Sequence, residues 1–158
     1  MNPHRLAQLC FTLTLLWALH ALAEEVELHI QTVLATNSSK GFEGFDAHLQ
    51  ELKPLLVRTF RYSSYRLVQE IRQQARRGEE IKVALPGERY MQVTPKAYER
   101  HRISLQVILR EGINPTSLLN ASLSFPDSGT VVFAGRRQKD GVLIIRIGAT
   151  AKEREQQP

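Results

Sequence analysis

The sequence predicts an α+β protein dominated by β-strands: an antiparallel sandwich or rolled sheet of about seven to eight strands with one N-terminal helical segment. Apolar and polar residues alternate through most of the chain, as they do in strands with one buried face. Turn-forming residues interrupt this alternation roughly every ten residues, which is typical of antiparallel folds. Residues 46–60 instead carry apolar side chains at helical spacing.

The first 23 residues have the three parts of a secretory signal peptide. A short positive start with Arg5 precedes an apolar run that ends in the small-residue site Ala21-Leu22-Ala23. The apolar run is about 15 residues long, whereas a membrane-spanning helix needs about 20. We therefore expect cleavage after residue 23 and no transmembrane segment in the remaining chain.

Removal of these 23 of the 158 residues leaves a chain of 135 residues without cysteine. Such a chain must fold without disulfides, on which small secreted eukaryotic domains usually depend. We therefore predict an exported bacterial protein, periplasmic or extracellular, with a single β-rich domain at 24–148. Residues 149–158 are rich in Lys, Glu and Gln, and this composition predicts a disordered tail.

The domain begins with a predicted strand and a predicted broken helix. Residues 25–34 alternate between apolar and polar side chains, and a polar connection follows at 37–44. Asp46 is placed to cap a helix over 46–60. Pro54 lies inside that helix and removes a backbone hydrogen bond, which predicts a kink or two short helical pieces.

Residues 64–77 fit either a strand or a helix. The alternation of Tyr65 and Ile71 with polar residues favours a strand, whereas a helix would align both of them with Val68. The Gln, Glu, Arg and Ala content favours a helix by propensity. The later strands need pairing partners, however, so we predict a strand at 64–72 that closes on the following Arg-Arg-Gly sequence.

The remaining strands are predicted from alternation between turn residues. Residues 81–85 and 90–94 flank Pro86-Gly87 and are predicted to form a hairpin. Further strands are predicted at 103–109, 119–125, 130–133 and 142–147. The last of these is a short apolar run of the type found in strands covered on both faces.

No catalytic, metal or cofactor motif is found in the sequence. The three histidines after the signal peptide, His29, His48 and His101, have no His or Cys at a ligand spacing, and we interpret them as solvated. No serine lies in a glycine-flanked elbow beside a base, and the glycines at 41–44 lack the phosphate-loop pattern. The sequence therefore predicts a protein that is not an enzyme and has no cofactor.

Charge is distributed unevenly and gives one candidate site. Residues 24–57 hold two basic and six acidic residues, whereas residues 58–110 hold twelve basic and five acidic ones. A basic segment fits an anionic partner such as a glycan, lipid headgroups or an acidic protein. Interleaved tyrosines also suit nucleic acid, but export argues against that partner. The candidate patch is Arg58, Arg61, Arg66, Arg72, Arg76, Arg77, Arg100 and Arg102; the alternative is that these arginines are solvated strand faces balancing the acidic first third.

Three segments carry a resemblance to known proteins: LNASLSFPDSGTVVFAG at 119–135, DGVLII at 140–145 and FRYSSYRL at 60–67. Together they resemble small exported bacterial proteins with no assigned function. The Thr-Val-Val-x-x-Gly element at 130–135 is also similar to a hairpin of outer-membrane secretins, which usually have a second glycine where this chain has Ala134. The chain is too short to form a secretin ring, so this likeness implies only an envelope-assembly context, and neither resemblance assigns a site residue.

We therefore expect a non-enzymatic envelope protein whose sheet surface or sheet edge binds a protein partner in an export or surface assembly. The alternative is a module that binds an anionic glycan or lipid through the basic segment.

Overall fold

The computed structural model describes residues 25–37, 44–112, 116–138 and 141–152, which form a β-sandwich with one helical segment. The predicted signal peptide lies outside the described residues. In the five-stranded sheet the order is β2-β3-β1-β9-β8, formed by β1 (Glu25–Thr36), β2 (Gly44–Phe45), β3 (Ser64–Arg76), β8 (Gly129–Gln138) and β9 (Gly141–Lys152). In the four-stranded sheet the order follows the chain, formed by β4 (Ile81–Leu85), β5 (Arg89–Glu99), β6 (Arg102–Glu111) and β7 (Thr116–Pro126).

The predicted fold class is confirmed, and each of the eight predicted strands has a counterpart. The ninth described strand is β2, which makes a short parallel contact with β3 over Gly44–Phe45, whereas the other pairings are antiparallel. The helical alternative for 64–77 is wrong. β3 runs to Arg76 and pairs with β1 over its whole length, so tertiary pairing overrides the local helix propensity.

Two short helical pieces occupy the region predicted as a broken helix. A 3-10 helix spans Ala47–Leu52, and α1 spans Lys53–Thr59 with Pro54 in its first turn. Proline is tolerated there because the first helical N–H groups have no partner within the helix. The Asp46 carboxylate accepts the N–H of His48 at 3.0 Å, so Asp46 caps the segment as predicted.

The predicted boundary of the disordered tail, at residue 149, lies too early in the chain. β9 continues through Lys152, and residues 149–152 pair with β1 residues 25–28. The extension follows from the start of β1 at Glu25, because the first residues of β1 need partners on both sides in the middle of the sheet. Residues 153–158 lie outside the described part of the chain.

Two apolar clusters hold the layers together. The larger lies between the two sheets and includes Leu28, Leu105 and Ile145. The smaller lies on the opposite face of the five-stranded sheet, where Leu49 and other residues of the helical segment pack on that sheet. β9 contributes to both clusters, which confirms the prediction that this strand is covered on both faces.

Candidate functional site

The arginines of the predicted patch lie in two groups at opposite ends of the sandwich. The group at the end where β1 begins is Arg76, Arg77, Arg100 and Arg102; the group beside the helical segment is Arg58, Arg61 and Arg66. Arg66 and Arg76 are ten positions apart in β3, so their backbones are separated by roughly 33 Å at about 3.3 Å per residue. Arg72 lies between the groups and forms an ion pair with Glu70 at 3.2 Å.

Acidic groups share the first end with its arginines. Arg76 is the ladder partner of Glu25, and its N–H donates to the Glu79 carboxylate at 2.9 Å. The Asp127 N–H donates to the carbonyl of His101, and the Asp127 carboxylate accepts the N–H of Ala151. These bonds place the β5–β6 turn and a carboxylate beside the end of β9, so the surface at this end has mixed charge.

The structure brings together a polar cluster that the sequence did not predict. It lies on the outer face of the five-stranded sheet and consists of His29, Gln31, Glu70, Thr130 and Arg146. One Arg146 nitrogen lies 2.7 Å from Nδ1 of His29 and donates to Oε1 of Gln31 at 3.1 Å. The other terminal nitrogen donates to the Thr130 hydroxyl at 3.2 Å. Arg146 is the single charged residue in the apolar run 142–147, and this is the feature of the sequence that could have pointed to the cluster.

The contacts of His29 fix its protonation. A guanidinium group can only donate, so Nδ1 of His29 accepts from Arg146 and Nε2 carries the proton that it donates to Glu70 at 2.6 Å. Burial lowers the pKa of His29 and the charge of Arg146 lowers it further, against the opposing effect of the bond to Glu70. The bond from His29 lowers the pKa of Glu70 in turn.

His29 is therefore a neutral side chain held between two partners, and the prediction that it is solvated is wrong. Its side chain is only 20% exposed. Both ring nitrogens are engaged within the protein, which leaves neither of them to accept a proton from a substrate in this arrangement. The cluster acts as a cross-strand tie between β1, β3, β8 and β9.

A second feature is the edge of the four-stranded sheet formed by β7. None of the residues of β7 carries a charge, whereas Lys82 in β4 and Arg137 in β8 lie on the other two long edges of the described sheets. Natural edge strands usually carry charges, because an uncharged row of free N–H and C=O groups invites pairing with another chain. We call residues 119–125 of β7 the open edge.

The inner face of the open edge is incompletely covered. Leu119 remains 37% exposed, and Ala121 and Leu123 are only partly buried. At the opposite edge of the same sheet, Ile81 and Val83 in β4 are 3% and 1% exposed. The sandwich therefore buries the inner apolar side chains of β4 fully, whereas in β7 Phe125 is buried at 5% exposure and the inner side chains at 119–123 are not.

The neighbouring edge strand β8 shows the same partial burial. Val131 and Phe133 pack against the main core but are not fully buried. β7 and β8 are joined by the turn at Asp127 and Ser128, yet they belong to different sheets. Both edge strands therefore leave apolar side chains partly exposed, and neither has a described ladder partner on its outer side.

Within the described part of the chain, no group of three or more His, Cys, Asp or Glu side chains is arranged to hold a metal ion. No helix among the described residues is long and apolar enough to cross a membrane. Comparison with protein-family models gives no match for this chain, and comparison with curated proteins gives none.

Proposed function

We propose that this chain is an exported, non-enzymatic protein of the bacterial envelope that binds another protein chain by strand addition at the open edge. In this mode an extended segment pairs with a free sheet edge through main-chain hydrogen bonds, and its alternate side chains enter neighbouring apolar positions. Pairing along β7 would extend the four-stranded sheet by one strand.

The observation that carries the proposal is the contrast between the two edges of one sheet. β4 carries Lys82 and has a fully buried inner face, so it gains little from a further strand. β7 is uncharged and leaves Leu119 exposed, so an added strand would both satisfy its backbone and cover apolar surface. The anionic-ligand alternative has less support, because the arginines lie at two ends and share one of them with carboxylates.

The proposal of export rests on the signal-peptide pattern of residues 1–23 and on the absence of cysteine after Cys10. It is tested by expressing the full sequence with a C-terminal tag, fractionating the cells and measuring the intact mass of the purified protein. We expect periplasmic or extracellular protein that begins near Glu24. Full-length protein in the cytoplasm would contradict the proposal of export.

Docking is tested by photo-crosslinking in living cells. A photoreactive residue is placed at Ser122 on the open edge or, as a matched control, at Ala84 on β4; both positions are exposed and lie on edges of the same sheet. We expect a discrete protein adduct from position 122 and none from position 84. Equal adducts from both positions, or no adduct from 122, would contradict docking at the open edge.

A charge variant separates docking from incidental proximity. Leu119→Lys places a cation on the uncharged edge, and we expect it to abolish the adduct formed from position 122. Ala84→Lys is the control and should leave that adduct unchanged. Circular dichroism of both purified variants establishes that the fold is kept. An adduct that persists in Leu119→Lys would show that the partner does not pair along β7.

A further inference from the structure

We infer that the polar cluster on the outer face of the five-stranded sheet is a binding site for a carboxylate, which the guanidinium of Arg146 holds. The site is separate from the proposed docking edge, because that edge belongs to the four-stranded sheet. It adds a ligand of stated chemistry and does not depend on strand addition at β7.

The guanidinium of Arg146 has hydrogen-bond donors that the protein does not use. An arginine side chain carries five N–H donors. Nη1 uses its two on His29 and Gln31, and Nη2 uses one on Thr130. The Nε–H is buried and has no acceptor in the described part of the chain. Nε and Nη2 therefore each keep one donor, and a bound acceptor would recover the free energy that an unpaired buried donor costs.

The unused donors belong to the side of the guanidinium that faces β8. Nη1 bonds to β1 through His29 and Gln31, whereas Nη2 bonds to Thr130 in β8. Nε and Nη2 form one edge of the planar group, and such an edge matches the two oxygens of a carboxylate. Thr130 is exposed beside this edge, so its side chain can turn and give its own hydroxyl proton to the ligand.

The guanidinium is held in place before any ligand binds. It lies over Gly148, where a Cβ would come within 3.3 Å of Nη2. Its bonds to β1 on one side and to β8 on the other hold its position on the sheet. Binding therefore does not require a long flexible side chain to become ordered, which lowers the entropic cost.

Arg146 also lacks a counter-ion in contact with it. Glu70 bonds to His29 and Arg72, and no carboxylate among the described residues forms an ion pair with Arg146. Burial lowers the pKa of Arg146, and Glu51 opposes this effect without contacting the guanidinium. Because arginine keeps its charge in proteins, a bound carboxylate would supply the counter-charge that this half-buried cation lacks.

The surrounding charges favour a carboxylate over a phosphate. Two carboxylates, Glu51 and Glu70, act on Arg146 through space, and Arg72 adds a positive charge that Glu70 already pairs. A phosphate carries more than one negative charge at neutral pH. It would therefore meet more repulsion at this site than a singly charged carboxylate does.

Binding is tested by NMR of the ¹⁵N-labelled protein purified from cells expressing the full sequence. The Nε–H signal of Arg146, assigned through its backbone, is followed during titration with acetate at about pH 7.5 and constant ionic strength, where an ordinary histidine is neutral. We expect a saturable shift in the millimolar range with acetate, weaker binding of inorganic phosphate and no saturable shift with chloride. Arg146→Lys should abolish acetate binding.

A charge variant tests the location and does not require Arg146→Lys to fold. Glu51→Gln removes a negative charge near the guanidinium and should tighten acetate binding about twofold or more. Glu99→Gln in the four-stranded sheet is the matched control and should leave the affinity unchanged. Both glutamates are exposed, so neither substitution should disturb the fold.

A capped Gly-Glu-Gly peptide, with Gly-Gln-Gly as its control, distinguishes two sources of the carboxylate. Tighter binding of the Glu peptide than of acetate assigns the site to an acidic side chain of a partner protein, and equal or weaker binding assigns it to a free organic acid. The carboxylate site is overturned if neither ligand gives a saturable shift, or if phosphate or the Gln peptide binds as tightly as its carboxylate counterpart. An unchanged affinity in Glu51→Gln overturns the location at Arg146.

Discussion

His29 hydrogen-bonds diagonally across the β1–β3 ladder to Glu70 and not to Arg72, the residue directly opposite it. The reason lies on the other side of the ring. Arg146 donates to Nδ1, so the proton of His29 is on Nε2 and needs an acceptor, which a guanidinium cannot provide. Glu70 accepts hydrogen bonds from both the Nε2–H of His29 and the guanidinium of Arg72. Three strands are thereby tied through one neutral imidazole.

The burial and hydrogen bonding of His29 predict a loss of stability in mild acid. The pKa of His29 in the folded protein lies below the 6.5 of an ordinary histidine, so the unfolded chain takes up the proton first as the pH falls. The free energy of unfolding should therefore decrease as the pH drops below about 6.5, until the folded-state pKa is passed. Urea unfolding between about pH 7.5 and 5 measures this slope. His29→Gln should have a flatter profile, whereas His101→Gln, at an exposed turn, should keep the original one; parallel profiles for all three proteins would contradict the assignment.

The hydroxyl of Tyr65 should make a second measurable contribution to the free energy of unfolding. The ring is buried, and the hydroxyl donates to the carbonyl of Phe60 at 2.6 Å, at the end of α1. Tyr65→Phe keeps the packing but leaves that carbonyl without its donor, which should reduce the free energy of unfolding by about 1–2 kcal/mol. Tyr62→Phe, which removes the hydroxyl of the ring that packs edge-on against Tyr65, is the control. Equal effects of the two substitutions would argue that the bond contributes little.

Asp46 holds the helical segment and β3 in register with each other. One carboxylate oxygen accepts the N–H of His48, and the other accepts the N–H of Leu67 at 3.2 Å. Asp46→Ala should lower the free energy of unfolding by about 1–2 kcal/mol, in the range of lost helix caps. Asp46→Asn retains one acceptor oxygen and should lose less. Chemical denaturation of the three proteins measures the difference, and an equal loss in both variants would mean that charge, not geometry, is what matters.

At Gly141 the neighbouring strand leaves no room for a side chain. A Cβ there would overlap the carbonyl oxygen of Ala35 and lie 2.7 Å from Cγ2 of Thr36, so β1 and β9 would have to separate. We expect Gly141→Ala to lower the free energy of unfolding by about 2 kcal/mol or more. Gly148→Ala in the same strand is the matched control, because its nearest new neighbour is a side-chain atom, Nη2 of Arg146, at the milder distance of 3.3 Å. A thermal melt in which the control is the worse variant would contradict this account.

The strands could be predicted from the sequence because their signal is local. Alternation around Ile103 and Leu105 and the turn at Pro86-Gly87 report a half-buried face and a reversal without knowledge of the partner strand. For residues 64–76 the sequence leaves both strand and helix open, because the contacts that decide between them are not local. The composition of these residues favours a helix, and the deciding contribution is a ladder with β1, which a local pattern does not contain.

The two candidate sites depend on the order of strands in the sheets, which the sequence pattern leaves open. His29 could be placed on the polar face of a strand, but Glu70 is 41 positions and Arg146 is 117 positions away along the chain. Likewise, the uncharged composition of β7 and of most of β8 was visible, yet only the topology shows that each lies at an edge and that the turn between them connects two sheets. The separation of the arginines into two groups likewise depends on the arrangement of the strands, which the sequence pattern leaves open.

The pairing of Glu25 with Lys152 has a consequence for how the chain folds. The middle strand of the five-stranded sheet comes first among the described residues, and one of its two partners comes last. Folding is slow where the contacts that close a sheet are so distant along the chain. The five-stranded sheet cannot close until the final strand has been made, so β1 keeps one side without a partner until β9 is present.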